Sequence, residues 1–286
     1  MKNAIQKLLL KLLRFLTGQM PYRTIAVIND CCGDDNGRGR IGSKISALFG
    51  FPVSAEIAVA HTLEAAANIL DQLKVIGKTA GLILANIAPR DLADGKTFTN
   101  GTHFGFCWIG NTLLVSTISG YTLSLVKKFR LADSIFVLDL ERSVDVLVRA
   151  KLISLAEGDE IKLTQFRSCY FQPLVAKAIL LGIQLPGERL PIADIQDAPL
   201  AIASVDIFGN RKTTLTLADI DVVDEGQQVT TLLSTFPFYT QLCKVPEGVT
   251  AIVIGSSGFN ERLLEINIKG RGKNPLTATV GTLVLK

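Results

Sequence analysis

The chain has 286 residues and a formal net charge of +4, and its composition is 48% hydrophobic and 20% charged. This length is large for one hydrophobic core and sufficient for two domains. Lys and Arg are scattered and are not interleaved with aromatic residues, so the composition gives no indication of a nucleic-acid partner. The two histidines and five cysteines lack metal-ligand spacing, and an odd number of cysteines without a CxxC motif favours reduced thiols in the cytoplasm.

Residues 1–21 are predicted to form a basic amphipathic helix. Leucines and Phe15 are interrupted there by Lys2, Lys7, Lys11 and Arg14. The segment is too short and too charged to span a bilayer, and it lacks the features of a secretory signal. Two interpretations stay open. Residues 1–20 make a weak membrane-surface contact, or their apolar face packs on the first domain or on another subunit.

Residues 22–184 are predicted to form an α/β domain, because runs of β-branched residues alternate with helical patterns. Helices are expected at 62–73 and 171–181, and strands at 25–28, 81–85, 107–109, 112–116 and 135–138. Residues 185–191 contain two prolines and a glycine, and this composition favours a linker. Short strands separated by turns then predict a smaller all-β, barrel-like C-terminal domain over 192–286.

The glycine-rich segment 37–44 imitates the phosphate-binding loop of nucleotide hydrolases, together with a strand over 134–138 that ends at Asp139. In that loop a lysine directly follows the last glycine and precedes a hydroxyl residue, whereas Ser43 and Lys44 stand in the reverse order. The segment is therefore interpreted as a flexible surface loop near Asp30 that tolerates phosphate or carboxylate groups.

An apolar run from Ala203 ends in a polar segment, Asp206 to Asn210. A carboxylate and a carboxamide stand four residues apart, and Gly209 permits close backbone approach to a ligand. This combination suits the amino, hydroxyl and ring-nitrogen groups of a small polar molecule. The alternative is an ordinary strand followed by an Asx turn.

Four segments in order, 24–30, 166–182, 206–215 and 255–266, are similar to motifs of one family. They include a strand that ends in Asp30 and an acid-x-Phe-Gly-Asn signature at Asp206 to Asn210. Over roughly residues 22–286 the chain resembles the S-adenosylmethionine hydroxide adenosyltransferase and fluorinase/chlorinase family. The resemblance does not extend to the N-terminal helix.

The resemblance implies displacement at the ribose C5′ of S-adenosylmethionine by water or hydroxide, with methionine as the leaving group. It implies no metal or redox cofactor, a small-molecule nucleoside substrate, and a homotrimer with sites between subunits. Asp30 would bind the ribose hydroxyls, Asp206 the methionine ammonium and Asn210 the adenine edge. The residues implied to bind substrate are Asp30, Asp206, Phe208, Asn210, Ser256 and Ser257.

The chain departs from the family in the nucleophile pocket. Water-using members carry an Asp-Pro-Gly-Val-Gly stretch followed by an arginine, whereas this chain has neutral Asn86 at the place of the acid, with Arg90 nearby. Ser168 falls where halide-using relatives place an anion-binding serine. The candidate catalytic residues are therefore Asn86, Arg90 and Ser168, and an amide cannot act as a general base at neutral pH.

Two functions stay open: hydrolysis of S-adenosylmethionine to adenosine and methionine, and non-catalytic binding of adenosine or S-adenosylmethionine. Structural alternatives also stay open for single residues. Asp30 is a candidate cap for the loop that it begins, Ser168 a candidate helix N-cap, and Ser256 and Ser257 candidate turn residues.

Overall fold

The computed structural model describes residues 24–87, 102–270 and 274–286. The predicted N-terminal helix and Arg90 lie outside these ranges. The described helices are α1 (Asp35–Phe49), α2 (Thr62–Ile76), α3 (Ser124–Lys128), α4 (Leu140–Arg149), α5 (Leu155–Leu163), α6 (Arg167–Tyr170) and α7 (Gln172–Leu180). The described strands are β1 (Thr24–Asn29), β2 (Ala55–Ala58), β3 (Gly81–Asn86), β4 (Phe104–Ile109), β5 (Thr112–Thr117), β6 (Ser134–Leu138), β7 (Gly187–Pro191), β8 (Ile202–Val205), β9 (Arg211–Thr213), β10 (Gln228–Thr230), β11 (Thr235–Tyr239), β12 (Thr250–Gly258) and β13 (Arg262–Ile268).

Among the described residues, seven strands form the first sheet in the order β2-β1-β3-β5-β4-β6-β7. The four strands β2, β1, β3 and β5 are parallel, and β4, β6 and β7 continue the sheet in antiparallel pairs. Helices cover both faces: α1 and α7 pack on one face, and α2 and α3 on the other. The buried residues of β1 follow without polar interruption, as expected for a strand that is covered on both sides. The α/β class of the N-terminal part is confirmed.

Helix α1 replaces the flexible loop that was predicted at 37–44. Asp34 caps the helix, because its carboxylate accepts hydrogen bonds from two backbone N–H groups of the first turn at 3.1 and 2.9 Å. Ile41, Ile45 and Phe49 recur every four residues and are buried against the first sheet. The cap and this apolar stripe outweigh the helix-weakening effect of the glycines, so the prediction of a loop is wrong.

The segment predicted as a linker, 185–191, is also different in the structure. Gly187–Pro191 form strand β7, which pairs with β6 at the edge of the first sheet. Proline and glycine are tolerated at a sheet edge, and the backbone of Gly187 passes so close to the Val137 carbonyl that a side chain has no room. The proline and glycine residues here belong to an edge strand, and the first sheet extends to Pro191.

The C-terminal part contains a second sheet with six described strands in the order β10-β11-β12-β13-β9-β8. It is mixed, because β11 and β12 are parallel and the other pairs are antiparallel. Its core includes Ile202, Phe238, Ile252 and Ile266. In the described strands β10 and β8 form the two edges, so closure into a barrel is not seen.

Helix α2 joins the two parts of the molecule. Its face that points away from the first sheet packs on Ala203 and Leu263 of the second sheet. Asp71 of α2 forms an ion pair with Lys212 of β9, with 2.5 Å between Oδ2 and Nζ. Apolar contact and ion pairing therefore both hold the second sheet against α2.

The cysteines and helices bear on the predicted location of the protein. All five cysteines lie in the described ranges and are free thiols. None of the helices in the described ranges combines the length and apolar character needed to cross a membrane. The cytoplasmic location stays a prediction.

Candidate functional site

The carboxyl ends of β1 and β3 meet at a point where the order of the parallel strands reverses. After β1 the chain passes through α1 to β2 on one side of β1, and then through α2 to β3 on the other side. The helices α1 and α2 cover opposite faces of the sheet, as at a topological switch point. Open α/β sheets bind their ligands at such topological switch points. Asp30 follows β1 here, and Asn86 is the last residue of β3.

Three polar side chains form a row at this edge. Asn29 and Asn86 are partners across β1 and β3, and Thr117 lies one residue beyond the Ala85 and Ser116 pair of β3 and β5. Since side chains alternate along a strand, all three lie on the face that α1 and α7 cover. Asn86 Nδ2 donates to Asn29 Oδ1 at 3.4 Å. We call Asn29, Asn86 and Thr117 the polar row.

Asp30 is half-buried next to the polar row. Its Oδ1 accepts a hydrogen bond from Asn86 Nδ2 at 3.1 Å. The turn after β1 is capped by Asn29, whose Oδ1 accepts from the backbone N of Cys31 at 2.9 Å. The alternative role of Asp30 as the cap is therefore wrong. A carboxylate accepts up to about four hydrogen bonds, so the contact with Asn86 is compatible with a ligand diol.

Ser168 lies on α6, the short helix that precedes α7. It is the second residue of that helix and is buried, and the N-cap is Phe166 without a side-chain hydrogen bond. The alternative role of Ser168 as an N-cap is therefore wrong. The neighbouring Arg167 donates from Nη2 to the Thr102 carbonyl at 3.1 Å, and its guanidinium lies 5.8 Å from the ring centroid of Phe104.

Two residues near the row were not predicted from the sequence. Arg167 brings a guanidinium, and burial lowers its pKa from the ordinary value. Gln172 is fully buried at the start of α7, and its Nε2 donates to the carbonyls of Ala85 and Val115 at 2.9 Å each. Within the described ranges, Gln172 Oε1 has no hydrogen-bond partner. Their positions depend on strands far away in the chain, so no local pattern indicates them.

The predicted residues of the second domain form a compact turn. Asp206 Oδ1 accepts from the backbone N of Phe208 at 2.9 Å and of Asn210 at 2.8 Å, and its Oδ2 accepts from Asn210 Nδ2 at 3.1 Å. Asn210 Oδ1 accepts from the backbone N of Ile268 at 3.2 Å. This is the Asx turn that the sequence left as an alternative. Phe208 projects from it and is 59% exposed.

Ser256 and Ser257 lie in strand β12 where its register with β13 shifts, so their alternative role as turn residues is wrong. The carbonyl of Ser256 accepts from Lys74 Nζ at 3.0 Å. Ser257 is buried, and its Oγ has no hydrogen-bond partner in the part of the chain that the structure describes. The serines therefore lie near the last turn of α2.

One chain places the Asp30 edge and Ser256 at opposite ends of α2. The helix begins next to the Asp30 edge, where the backbone N of Val59 donates to the Asn29 carbonyl at 3.4 Å. Lys74, which contacts Ser256, is twelve residues beyond Thr62, and this corresponds to about 18 Å along the helix. Asp30 and Asn86 are brought to one edge, whereas Ser256 and Ser257 lie near the other end of α2.

The side chains at this edge suit a polar organic ligand. Among the described residues the edge offers amide, hydroxyl and carboxylate groups, with the Arg167 guanidinium nearby. Within residues 24–87, 102–270 and 274–286, no cluster of three or more His, Cys, Asp and Glu side chains has the arrangement of a metal site. A mixture of fixed donors and acceptors suits a ligand that is rich in hydroxyl groups, such as a ribose.

No protein-family model and no curated protein matches the chain. Among solved structures, it is similar to an uncharacterized conserved protein from Thermotoga maritima, with a TM-score of 0.59 and 16% identity over 91% of this chain and 98% of that one. It is also similar to a conserved hypothetical protein from Thermus thermophilus, with a TM-score of 0.54 and 18% identity over 88% of this chain and 93% of that one. These likenesses show a shared fold over nearly the whole chain.

Proposed function

We propose that the switch-point site binds the adenosine part of S-adenosylmethionine and that the protein hydrolyses this compound to adenosine and methionine. The proposal depends above all on the Asp30 carboxylate, which the Asn86 amide holds at 3.1 Å where β1 and β3 end. A carboxylate in a fixed position accepts hydrogen bonds from both hydroxyls of a ribose diol. The resemblance to the S-adenosylmethionine hydroxide adenosyltransferase family supplies the identity of the nucleoside.

The proposed reaction is a displacement at C5′. The oxygen of water forms a bond to C5′ while the C5′–S bond breaks and its electron pair stays on sulfur, which becomes the neutral thioether of methionine. The attacking water loses its proton to solvent. The sulfonium is a good leaving group, so the protein has to orient the water and remove bulk solvent. Buried Ser168 on α6 is the proposed contact for that water.

A complete site requires a second copy of the chain. The resemblance implies a homotrimer, and the separation of Asp30 from Ser256 and Ser257 along α2 supports an arrangement in which the Asp30 edge of one copy faces the second domain of another. Exposed Phe208 would then pack on the bound nucleoside. Asn210 keeps one further N–H and one further lone pair for an adenine edge, because its Nδ2 makes one hydrogen bond to Asp206 and its Oδ1 accepts one from Ile268.

The alternative function is non-catalytic binding of adenosine or S-adenosylmethionine. The identity of residue 86 as asparagine favours this alternative. Its amide stands where water-using relatives have an acid, and its Nδ2 is committed to Asp30. Chromatography of the protein incubated with S-adenosylmethionine separates the two functions. Release of adenosine and methionine in equal amounts supports the hydrolase. Calorimetric binding without release supports the binding protein, and absence of binding contradicts both.

A further inference from the structure

We propose that the cleft between α1 and α6 is a second ligand site, which binds a small phosphomonoester. The cleft is open to solvent and has a volume of about 540 Å³. Its polar lining includes Asp35, Asn36, Arg40, Ser43, Lys44 and Tyr170. None of these residues has a role in the proposed hydrolysis.

Arg40 is held in place in this cleft. Its Nη2 donates to Tyr170 Oη at 2.9 Å, and its guanidinium carbon lies 4.8 Å from the ring centroid of Phe166 and 5.7 Å from that of Tyr170. Contacts of this kind with aromatic faces fix the plane of a guanidinium without using all of its N–H groups. The remaining N–H groups are therefore preorganised donors for an anion.

Lys44 adds a second cation to the same cleft. It lies four residues after Arg40 on α1, so both side chains lie on one face of the helix. Among the described residues, neither forms an ion pair with a carboxylate. By contrast, five other lysines of the described part do: Lys127, Lys128, Lys162, Lys212 and Lys244.

Three acidic side chains lie in the cleft or next to it: Asp35, Glu157 and Glu160. Asp35 Oδ1 lies 3.7 Å from Arg38 Nη1. Glu157, which lines the neighbouring cavity with Lys44, accepts hydrogen bonds from the backbone N and Oγ of Ser154 at 2.8 and 2.9 Å. These hydrogen bonds, and to a smaller extent the charge of Lys44, lower the pKa of the Glu157 carboxyl. Glu160 also lines that neighbouring cavity. Two cations against one carboxylate in the cleft itself leave its lining with net positive charge.

A phosphomonoester fits these groups better than other small anions do. An arginine fork binds two phosphate oxygens at once, and a lysine adds a point charge. The Ser43 hydroxyl and the Asn36 amide supply neutral donors. The volume falls within the range of about 300–1,000 Å³ that is usual for small-molecule pockets, which is far more than a bare phosphate ion fills.

Calorimetric titration of the full chain with ribose 5-phosphate, ribose, inorganic phosphate and acetate tests the proposal. We expect ribose 5-phosphate to bind and ribose and acetate to bind at least tenfold more weakly, with inorganic phosphate between them. Arg40→Gln/Lys44→Gln should weaken the binding of ribose 5-phosphate about tenfold or more. The control Arg142→Gln, at an exposed ion pair on α4, should leave it unchanged.

Further variants separate this site from the Asp30 site. Lys44→Gln alone keeps the Arg40 and Tyr170 contact and should still weaken binding about threefold or more. Asp30→Ala should not alter it. The proposal is overturned if ribose 5-phosphate fails to bind, if it binds equally well to the Lys44→Gln protein, or if Asp30→Ala removes the binding. None of these results depends on turnover of S-adenosylmethionine, so the two proposals fail independently.

Discussion

Asn86 Nδ2 lies 3.1 Å from Asp30 Oδ1 and donates a hydrogen bond to it, although the two residues are 56 positions apart in the chain. The contact joins the ends of β1 and β3 at the switch point of the first sheet. A carboxylate that is oriented before the ligand arrives loses little freedom on binding. The pair is therefore the centre of the proposed nucleoside site.

Asn86→Asp should make the stability of the protein depend on pH. It places a second carboxylate within hydrogen-bond distance of Asp30, and this repulsion raises the pKa of one of the two acids in the folded state. The folded Asn86→Asp protein then binds more protons than its unfolded chain, so the stability of the variant falls as the pH rises. We expect a loss of about 1–2 kcal/mol between pH 5 and pH 8 in urea unfolding, relative to Asn86→Ala. Equal pH profiles for the two variants would show that the residues are not in contact.

His61 should make the protein less stable in mild acid. It is the N-cap of α2, and its Nδ1 accepts a hydrogen bond from the backbone N of Leu63 at 3.1 Å. Burial lowers the pKa of His61 from its ordinary value of 6.5, and Glu64 only partly opposes this effect. The unfolded chain therefore takes up the proton first, and stability is lost as the pH falls below about 6.5.

The loss of stability that protonation of His61 causes should be at or below about 1 kcal/mol. Solvent screens the half-exposed ring, and only one helix cap is lost. His61→Asn keeps a capping side chain without the titration. Urea unfolding at pH 7.5 and pH 5.5 should show a larger loss for the native chain than for this variant. The same loss in both proteins would assign the acid sensitivity to other groups.

The cysteines should react with a thiol reagent in three groups. Cys243 is exposed and should react first, and half-buried Cys31 should follow. Cys32, Cys107 and Cys169 are buried, and burial raises the pKa of Cys32 to about 11 and that of Cys107 to about 12. These three should react only when the protein is unfolded. Cys243→Ser should remove the fast phase, and rapid reaction of more than two thiols would contradict the described fold.

If two copies share each site, co-expression of two variants that are defective in different halves of the site should restore part of the adenosine binding. Asp30→Ala removes the ribose contact of one copy, and Phe208→Ala removes an exposed side chain of the second domain. When both are co-expressed, random assembly places an intact half of each kind together in about a quarter of the sites. Adenosine-binding capacity should recover to that level, and light scattering should give the mass of a trimer. A monomer, or no recovery, would refute the shared site.

Much of the fold could be predicted because the apolar pattern is strong in the central strands and in α2. The residues of β1 and β3 are buried on both faces, and α2 carries a regular apolar stripe. The sequence misled at two places. Four polar or charged residues among the glycines of 37–44 resemble a loop, although Asp34 and the Ile41 stripe specify a helix. Proline and glycine at Gly187–Pro191 resemble a linker, although an edge strand accommodates both.

The candidate site could be predicted only in part. Asp30 and Asn86 stand at the ends of recognisable strands, so their positions follow from strand order once the sheet is known. Arg167 and Gln172 acquire their roles through Thr102, Ala85 and Val115, which approach them only in the folded chain. The Asp206 turn was seen in the sequence, but its hydrogen bonds within the turn were not.

The central claim is that the Asp30 edge binds adenosine, and calorimetric titration of the native chain, Asp30→Ala and the control Asp224→Ala with adenosine tests it most directly. Hydrogen bonds to a charged group are worth about 1.5–3 kcal/mol, so Asp30→Ala should bind adenosine about 10- to 100-fold more weakly. Asp224→Ala, at an exposed acid of the second domain, should match the native chain. Equal affinity of the native and Asp30→Ala proteins, or no binding of adenosine to the native chain, would contradict the claim.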